Sequence, residues 1–221
     1  MNASDDGGPE LPRFDLVIFD CDGVLVDSEV ITNAVFATML GELGAVVTLQ
    51  YLFEHFMGHS MAHCLTLVRE LLGRDPPDEF LVEYRRRSSR ALEEVVAVPG
   101  IEQVLDALDV PSCVASNGPH DKMRRTLEIT GLLPRFESRL FSADDVGRPK
   151  PAPDLFLFAA SRMNAAPERT AVVEDSPAGV TAALAAGMKA YGYAGRMPAG
   201  RLIGAGAAVV FEDMRELCAL L

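Results

Sequence analysis

Hydrophobic positions follow two different periods along this chain. Leu16, Val17, Ile18 and Phe19 form an unbroken apolar run, the pattern of a strand covered on both faces in a parallel sheet rather than an alternating, half-exposed one. That run delivers two acids, Asp20 and Asp22, followed at once by Gly23. The spacing then becomes helical. Val30, Ile31, Ala34, Val35, Thr38, Met39 and Leu43 line one predicted helix, with Gly44 as its stop. A second helix is predicted over 49–57, ended by Gly58. Ser60 is placed to cap a third, whose buried stripe is Cys64, Leu65, Leu67, Val68, Leu71 and Leu72, with Gly73 after it. Asp75-Pro76-Pro77 reads as a turn, and a fourth helix runs through Leu92 to Val95.

Beyond Val98-Pro99-Gly100, strands and helices alternate. Helices are predicted at 101–108, 120–130, 154–163 and 177–186, with a short one from Met214. Strands are predicted at 111–115, 139–142, 170–173, 189–193 and 207–211. Such alternation predicts an α/β fold, a parallel sheet with helices on both faces. The helices-only stretch falls between the first strand and all the others, so it reads as an insertion that leaves the sheet intact. The expected organisation is a polar tail over 1–12, a catalytic core made of 13–29 and 96–221, and a helical cap over 30–95.

Composition narrows the function classes. Of 221 residues, 49% are hydrophobic and 24% charged, ordinary for a globular protein. A formal net charge of −12 argues against nucleic acid and anionic membranes as partners, because both require a basic face. No stretch approaches the ~20 apolar residues of a membrane span, and no basic segment followed by an apolar core opens the chain as in a signal peptide. The four cysteines, Cys21, Cys64, Cys113 and Cys218, have no paired spacing; Cys21, Cys113 and Cys218 read as small buried hydrophobes. A reduced, cytoplasmic, monomeric protein is expected.

The polar residues of the core collect at predicted strand ends: Asp20 and Asp22, Ser116 and Asn117, Lys150, then Glu174 and Asp175. Ligands of open parallel sheets bind at those ends. Taken singly, each group has a plainer reading: Ser116-Asn117-Gly118 as a turn with a helix cap, Lys150 as a solvated loop lysine, Glu174-Asp175-Ser176 as an acidic helix start. Together they compose phosphoryl transfer. A carboxylate can attack phosphorus and form an aspartyl-phosphate, and anion meeting anion calls for a hard cation such as Mg²⁺. Asp20 and Asp175 would share that ion. Ser116 and backbone N–H groups at a helix start would hold phosphoryl oxygens, Lys150 would neutralise charge, and Asp22 is spaced to act as general acid and base.

The residues Asp20-Cys21-Asp22-Gly23-Val24, Ser116-Asn117, Lys150-Pro151 and Glu174-Asp175 resemble, in order, the four motifs of the haloacid dehalogenase superfamily. The run from Asp20 to Glu29 followed by a helical block resembles its subgroup of sugar-phosphate phosphatases and β-phosphoglucomutase, and the 113–119 stretch resembles bacterial 6-phosphogluconate phosphatases. The resemblance implies a Rossmann-like core with a mobile α-helical cap. It implies Asp20 as nucleophile and Asp22 as acid and base, with the Asp22 backbone carbonyl also on Mg²⁺. Asp175 is implied as a metal ligand, and Glu174 as a ligand or the holder of a metal-bound water. Ser116 and the backbone around Asn117 would bind phosphate, and Lys150 would balance charge. The expected substrate is a small phosphorylated metabolite, a sugar or sugar-acid phosphate.

Rival readings remain. A phosphosugar mutase shares the phosphoenzyme; its cap arginine has no counterpart after Gly58-His59-Ser60-Met61, although Arg69 or Arg85-Arg86-Arg87 would supply the charge from elsewhere. A haloacid dehalogenase needs neither Asp22 nor the acidic pair. A non-catalytic binding protein on this fold would have lost a motif acid, and a calcium loop would need further ligands after Asp22. His55, His59 and His63 recur every four residues, but Gly58 interrupts the helix between them and they lack a ligand pattern. His59 and Ser60 are the cap residues expected to reach substrate. Arg85, Arg86, Arg87 and Arg90 cannot all face one way on a helix, so most are expected in solvent.

Overall fold

The computed structural model describes residues 14–57 and 61–221. Its centre is a parallel sheet of six strands in the order β3-β2-β1-β4-β5-β6. These are β1 (Leu16–Phe19), β2 (Ser112–Ser116), β3 (Leu140–Ser142), β4 (Thr170–Glu174), β5 (Lys189–Tyr193) and β6 (Val209–Phe211). The order reverses beside β1, the Rossmann-like arrangement in which a crevice opens at the strands' carboxyl ends.

The unbroken apolar run of β1 has the expected cause. All four of its side chains are fully buried, and they alternate between two hydrophobic layers. Val17 and Phe19 enter one layer with Val114 and Val173, built on α5 (Ile101–Ala107), α6 (His120–Ile129), α7 (Leu133–Phe136) and α11 (Leu217–Leu220). Leu16 and Ile18 enter the other with Cys113 and Val172, built on α8 (Asp154–Arg162), α9 (Pro177–Ala185) and α10 (Ala199–Gly204). The register sets Phe19 opposite Val114 on one side and Val173 on the other. Asp20, the next residue, therefore emerges between Ala115 and Glu174.

Between β1 and β2 the chain forms α1 (Ser28–Glu42), α2 (Leu49–His55), α3 (Met61–Leu72) and α4 (Phe80–Ala91). This block has its own cluster around Phe36, Leu40, Leu52, Phe56, Val68 and Phe80. Phe36 meets Phe56, Phe80 and Tyr84 edge-on, with ring centroids 5.6, 5.5 and 5.1 Å away. The two segments joining block to sheet are paired with each other: Asp27 N–H donates to Val96 O at 2.9 Å, and Val26 bridges Ala97 antiparallel.

Helices α7 and α10 form in stretches for which the sequence pattern predicts no element, and β6 starts at Val209 rather than 207. Cys218 is exposed, whereas Cys21 and Cys113 are buried; Cys64 is also buried, and all four thiols are free. Among the described residues no helix is long and apolar enough to cross a membrane.

Candidate active site

The carboxyl ends of β1 and β4 bring three acids together. Asp20 follows β1, Glu174 ends β4 and Asp175 comes next; they are 8%, 1% and 6% exposed, and each offers an oxygen within 4.8 Å of the others'. Buried like charges of this kind persist only with compensation. Part of it is Lys150, from the loop after β3, whose side chain is itself buried. Its Nζ donates to Asp20 Oδ1 at 2.7 Å, to Glu174 Oε1 at 2.6 Å and to the Ala115 carbonyl at 2.8 Å. Three donors thus meet three acceptors. Burial works against the ammonium, but the Asp20 and Glu174 charges outweigh it and raise its pKa.

One lysine does not balance the set. Burial pushes the Asp20 carboxyl up to about 7 against the pull of Lys150, with Glu174 and Asp22 adding to the rise. Asp175 is driven well above the carboxylate range by burial and then by the charges of Glu29, Glu174 and Asp20. A dry, all-oxygen donor set with excess negative charge is what a hard divalent cation requires. Asp20, Asp175 and Glu174 fit such an ion, Glu174 through whichever lone pairs its protein donors leave.

Two glycines leave room for this packing. Gly23 has φ +79°, and a Cβ there would lie 2.0 Å from Asp175 Oδ2. A Cβ on Gly179, in the first turn of α9, would lie 1.8–2.3 Å from the Glu174 carboxylate atoms. Glu174 Oε2 accepts from the Ser176 N–H at 3.1 Å and hydroxyl at 2.9 Å. The Ser176 hydroxyl oxygen in turn accepts from Gly179 N–H at 3.0 Å, capping α9.

Asp22 sits across the crevice with both oxygens engaged. Oδ1 accepts from the Ser28 hydroxyl at 2.6 Å and Oδ2 from Lys122 Nζ at 2.8 Å. Beyond β2, the Ser116 hydroxyl oxygen accepts from Gly118 N–H at 3.1 Å. A Cβ on Gly118 would lie 3.4 Å from Ser116 Oγ and 3.7 Å from Asp22 Oδ2, so this bare residue lies beside both groups, ahead of α6. The Asn117 side chain has a bracing role: Oδ1 accepts from Lys150 N–H at 2.8 Å, and Nδ2 donates to the Lys150 carbonyl at 3.3 Å. It fixes the loop that carries the lysine.

The fold therefore gathers Asp20, Asp22, Ser116, Asn117, Lys150, Glu174 and Asp175, whereas His59 and Ser60 lie outside the described residues. His55 stacks on Tyr51 and its Nδ1 lies 3.0 Å from the Tyr51 carbonyl. Of the arginines offered as phosphate grips, three hold other acids: Arg69 pairs with Asp75, Arg86 and Arg87 with Glu83, and Arg87 also with Glu42. Three site residues escaped the sequence reading. Ser28 and Lys122 hold Asp22, and Glu29 stands in the first turn of α1 with Oε2 buried and without a hydrogen-bond partner among the described residues. Burial, then the charges of Asp22, Asp20, Asp27 and Glu174, push Glu29 up to about 7.

Comparisons with known proteins place the whole chain. Residues 14–187 match the model of the haloacid dehalogenase-like hydrolase family. The chain is 36% identical over 183 residues to the 6-phosphogluconate phosphatase of Escherichia coli, covering 82% of this chain and 83% of that one. A haloacid dehalogenase-like protein of unknown function from Agrobacterium tumefaciens superposes with a TM-score of 0.90 at 37% identity, over 94% of this chain and 97% of that one. A HAD family hydrolase from Deinococcus radiodurans, solved with bound phosphate and sodium, superposes with a TM-score of 0.83 at 34% identity, over 95% and 98% of the two chains. With its motif acids assembled at the strand ends and its sequence matched from Phe14 to Gly187, the chain belongs to the haloacid dehalogenase-like hydrolases.

Proposed function

We propose that the protein is a Mg²⁺-dependent phosphatase of a small phosphorylated metabolite, a sugar or sugar-acid phosphate. The observation that carries this reading is the buried group of Asp20, Glu174 and Asp175, the first two sharing Lys150, whose excess negative charge stands at the strand ends with Asp22, Ser116 and the bare Gly118 beside it. Asp20, Asp175, Glu174 and the Asp22 backbone carbonyl would hold the ion. When bound, the ion supplies charge neutralisation that lets a carboxylate approach a phosphate.

The residues' own work follows from their positions. An Asp20 oxygen forms a bond to phosphorus as the bond to the leaving oxygen breaks, and the Asp22 carboxyl gives that oxygen its proton. Asp22, now ionised, takes a proton from water as the water oxygen attacks phosphorus, which releases Asp20 and inorganic phosphate. Ser116, the backbone around Asn117 and the N–H groups opening α6 receive phosphoryl oxygens. Lys150 keeps Asp20 oriented and its charge compensated. Glu29 supports a hydroxylated substrate, since its unpartnered oxygen requires a donor and a sugar hydroxyl supplies one. The helical block acts as a cap over 30–95 that excludes water during the first step and opens for release, with His59 and Ser60 assigned to substrate contact.

The phosphatase name of the E. coli relative and the phosphate bound in the D. radiodurans structure support the substrate class. The free, largely buried thiols suit an enzyme working in the reducing cytoplasm, and we propose that it works as a monomer. The deciding experiment is phosphate release over sugar phosphates, 6-phosphogluconate and phosphoglycolate, with and without chelation. Mg²⁺-dependent release on at least one sugar or sugar-acid phosphate is expected. Conversion of a sugar 1-phosphate to its 6-phosphate without free phosphate would instead establish a mutase.

A further inference from the structure

Helix α2 serves two hydrophobic clusters at once. Leu52 and Phe56, four residues apart, belong to the cluster inside the cap. Their neighbours Phe53 and Met57, also four apart, pack against the cluster of the core that contains Met197 and Leu202. Met57 is 5% exposed, so the core covers it. A polar contact sits on the same seam: Arg201, from α10, donates through Nη1 to the Met57 carbonyl at 2.9 Å. That carbonyl lies just past the end of α2, where the helix leaves its last carbonyls without internal partners.

The other side-chain hydrogen bonds joining cap to core among the described residues fall close to the crossing segments. At the crossing segment itself Ser28 reaches Asp22 and Arg196 reaches Asp27, and Arg125 pairs with Glu93 where both side chains are more than half exposed, a pair of little weight. Bonds so near a pivot do little to resist rotation about it. Met57 lies in the middle of the inserted stretch, where a contact resists opening with leverage.

We propose that Arg201, Phe53 and Met57 form a clasp that holds the cap against the core, and that Arg201 is a positioning residue for closure. It touches none of the motif residues and acts on the site by setting how often the cap stands open. Closing joins the guanidinium to the carbonyl and removes Phe53 and Met57 from water; opening reverses both, so the clasp biases the resting enzyme toward the closed form.

The test compares Arg201→Met, which keeps much of the stem and removes the donors, with Phe53→Ser and Arg201→Lys. Spin labels placed by Val46→Cys and Leu157→Cys in a Cys218→Ser background report the distance from cap to core, at two exposed positions. Hydrogen exchange of the α2 amides reports release of the helix. Arg201→Met and Phe53→Ser should each raise the open population and α2 exchange by about tenfold, the loss of one charged hydrogen bond or one apolar anchor. KM for a phosphate ester should rise by a similar factor with kcat unchanged or higher, and Arg201→Lys should restore part of the closure. Wild-type distances and α2 exchange in both disabling variants would overturn the clasp. So would lower melting temperatures with no opening, which would make these residues ordinary packing. The distance and exchange measurements need no turnover, so they stand or fall apart from the phosphatase reading.

Discussion

A methyl group at residue 179 should disable the site from behind. Gly179 belongs to none of the motifs, yet its Cα lies against Glu174, and the Cβ of Gly179→Ala would fall 1.8 Å from the Glu174 carboxyl carbon and 1.9 and 2.3 Å from its oxygens. Those atoms are backed by a 2.6 Å bond to Lys150 and a 2.9 Å bond from Ser176, so the carboxylate has nowhere to retreat without breaking one. Overpacking alone costs about 1–3 kcal/mol, and a disrupted buried ion pair about 3–5 kcal/mol. With partial relaxation we expect a loss of about 2–4 kcal/mol. In a chain of this size that lowers Tm by roughly 4–16 °C. Phosphate release should fall by about a hundredfold or more, because Lys150 then loses Glu174, the acid that fixes it beside Asp20. Differential scanning calorimetry and a phosphate-release assay check both effects. Gly200→Ala is the control: an added methyl there meets nothing within 4 Å, and in helix α10 it should be neutral or stabilise by up to about 1 kcal/mol. Melting of Gly179→Ala within ~1 °C of wild type, with full activity, would refute the tight packing behind Glu174.

Two further outcomes follow from the same charges. In chelator, the folded protein holds protons on Asp20 and Glu29 up to about pH 7, whereas the unfolded chain releases them near ordinary carboxylate values. The folded state therefore binds more protons across that window, and Tm should fall as pH rises from about 4 to about 7. Added Mg²⁺ should offset the fall, most strongly at the upper end; a Tm that climbs over this range in chelator would contradict the assignment. Glu29→Ala should lower kcat/KM for sugar phosphates by about tenfold while leaving p-nitrophenyl phosphate within about threefold. Equal losses on both substrates would move Glu29 from substrate to metal.

The motifs were legible because strand ends impose their own order on the sequence. The four buried residues of β1 announced a central strand, and Asp20, Ser116, Glu174 and Asp175 each stood at the end of an apolar run. Helix α10 was missed because its six residues, AGRLIG, bury only Leu202 and give no period. Four-residue α7 is shorter than one useful window. Lys122 reaches Asp22 across 100 positions, a contact set by how α6 follows β2. One signal was present: a lysine in the first turn of a helix opposes the helix dipole, and such a misplaced charge suggests an acidic partner. Glu29 gave no such sign, since an acid at a helix start is the favoured choice. The bracing by Asn117 was hidden for another reason, because its partners are the backbone of Lys150 and any residue there would present the same groups.

Whether Asp20 attacks phosphorus is tested by comparing wild type with Asp20→Asn. Both proteins, shown to be folded by circular dichroism, would be given Mg²⁺ and the best phosphate ester from the substrate panel. Wild type should release phosphate through many turnovers, while the nearly isosteric Asp20→Asn variant should fall to background with its fold intact. Phosphate release by Asp20→Asn at the wild-type rate would exclude Asp20 as the nucleophile.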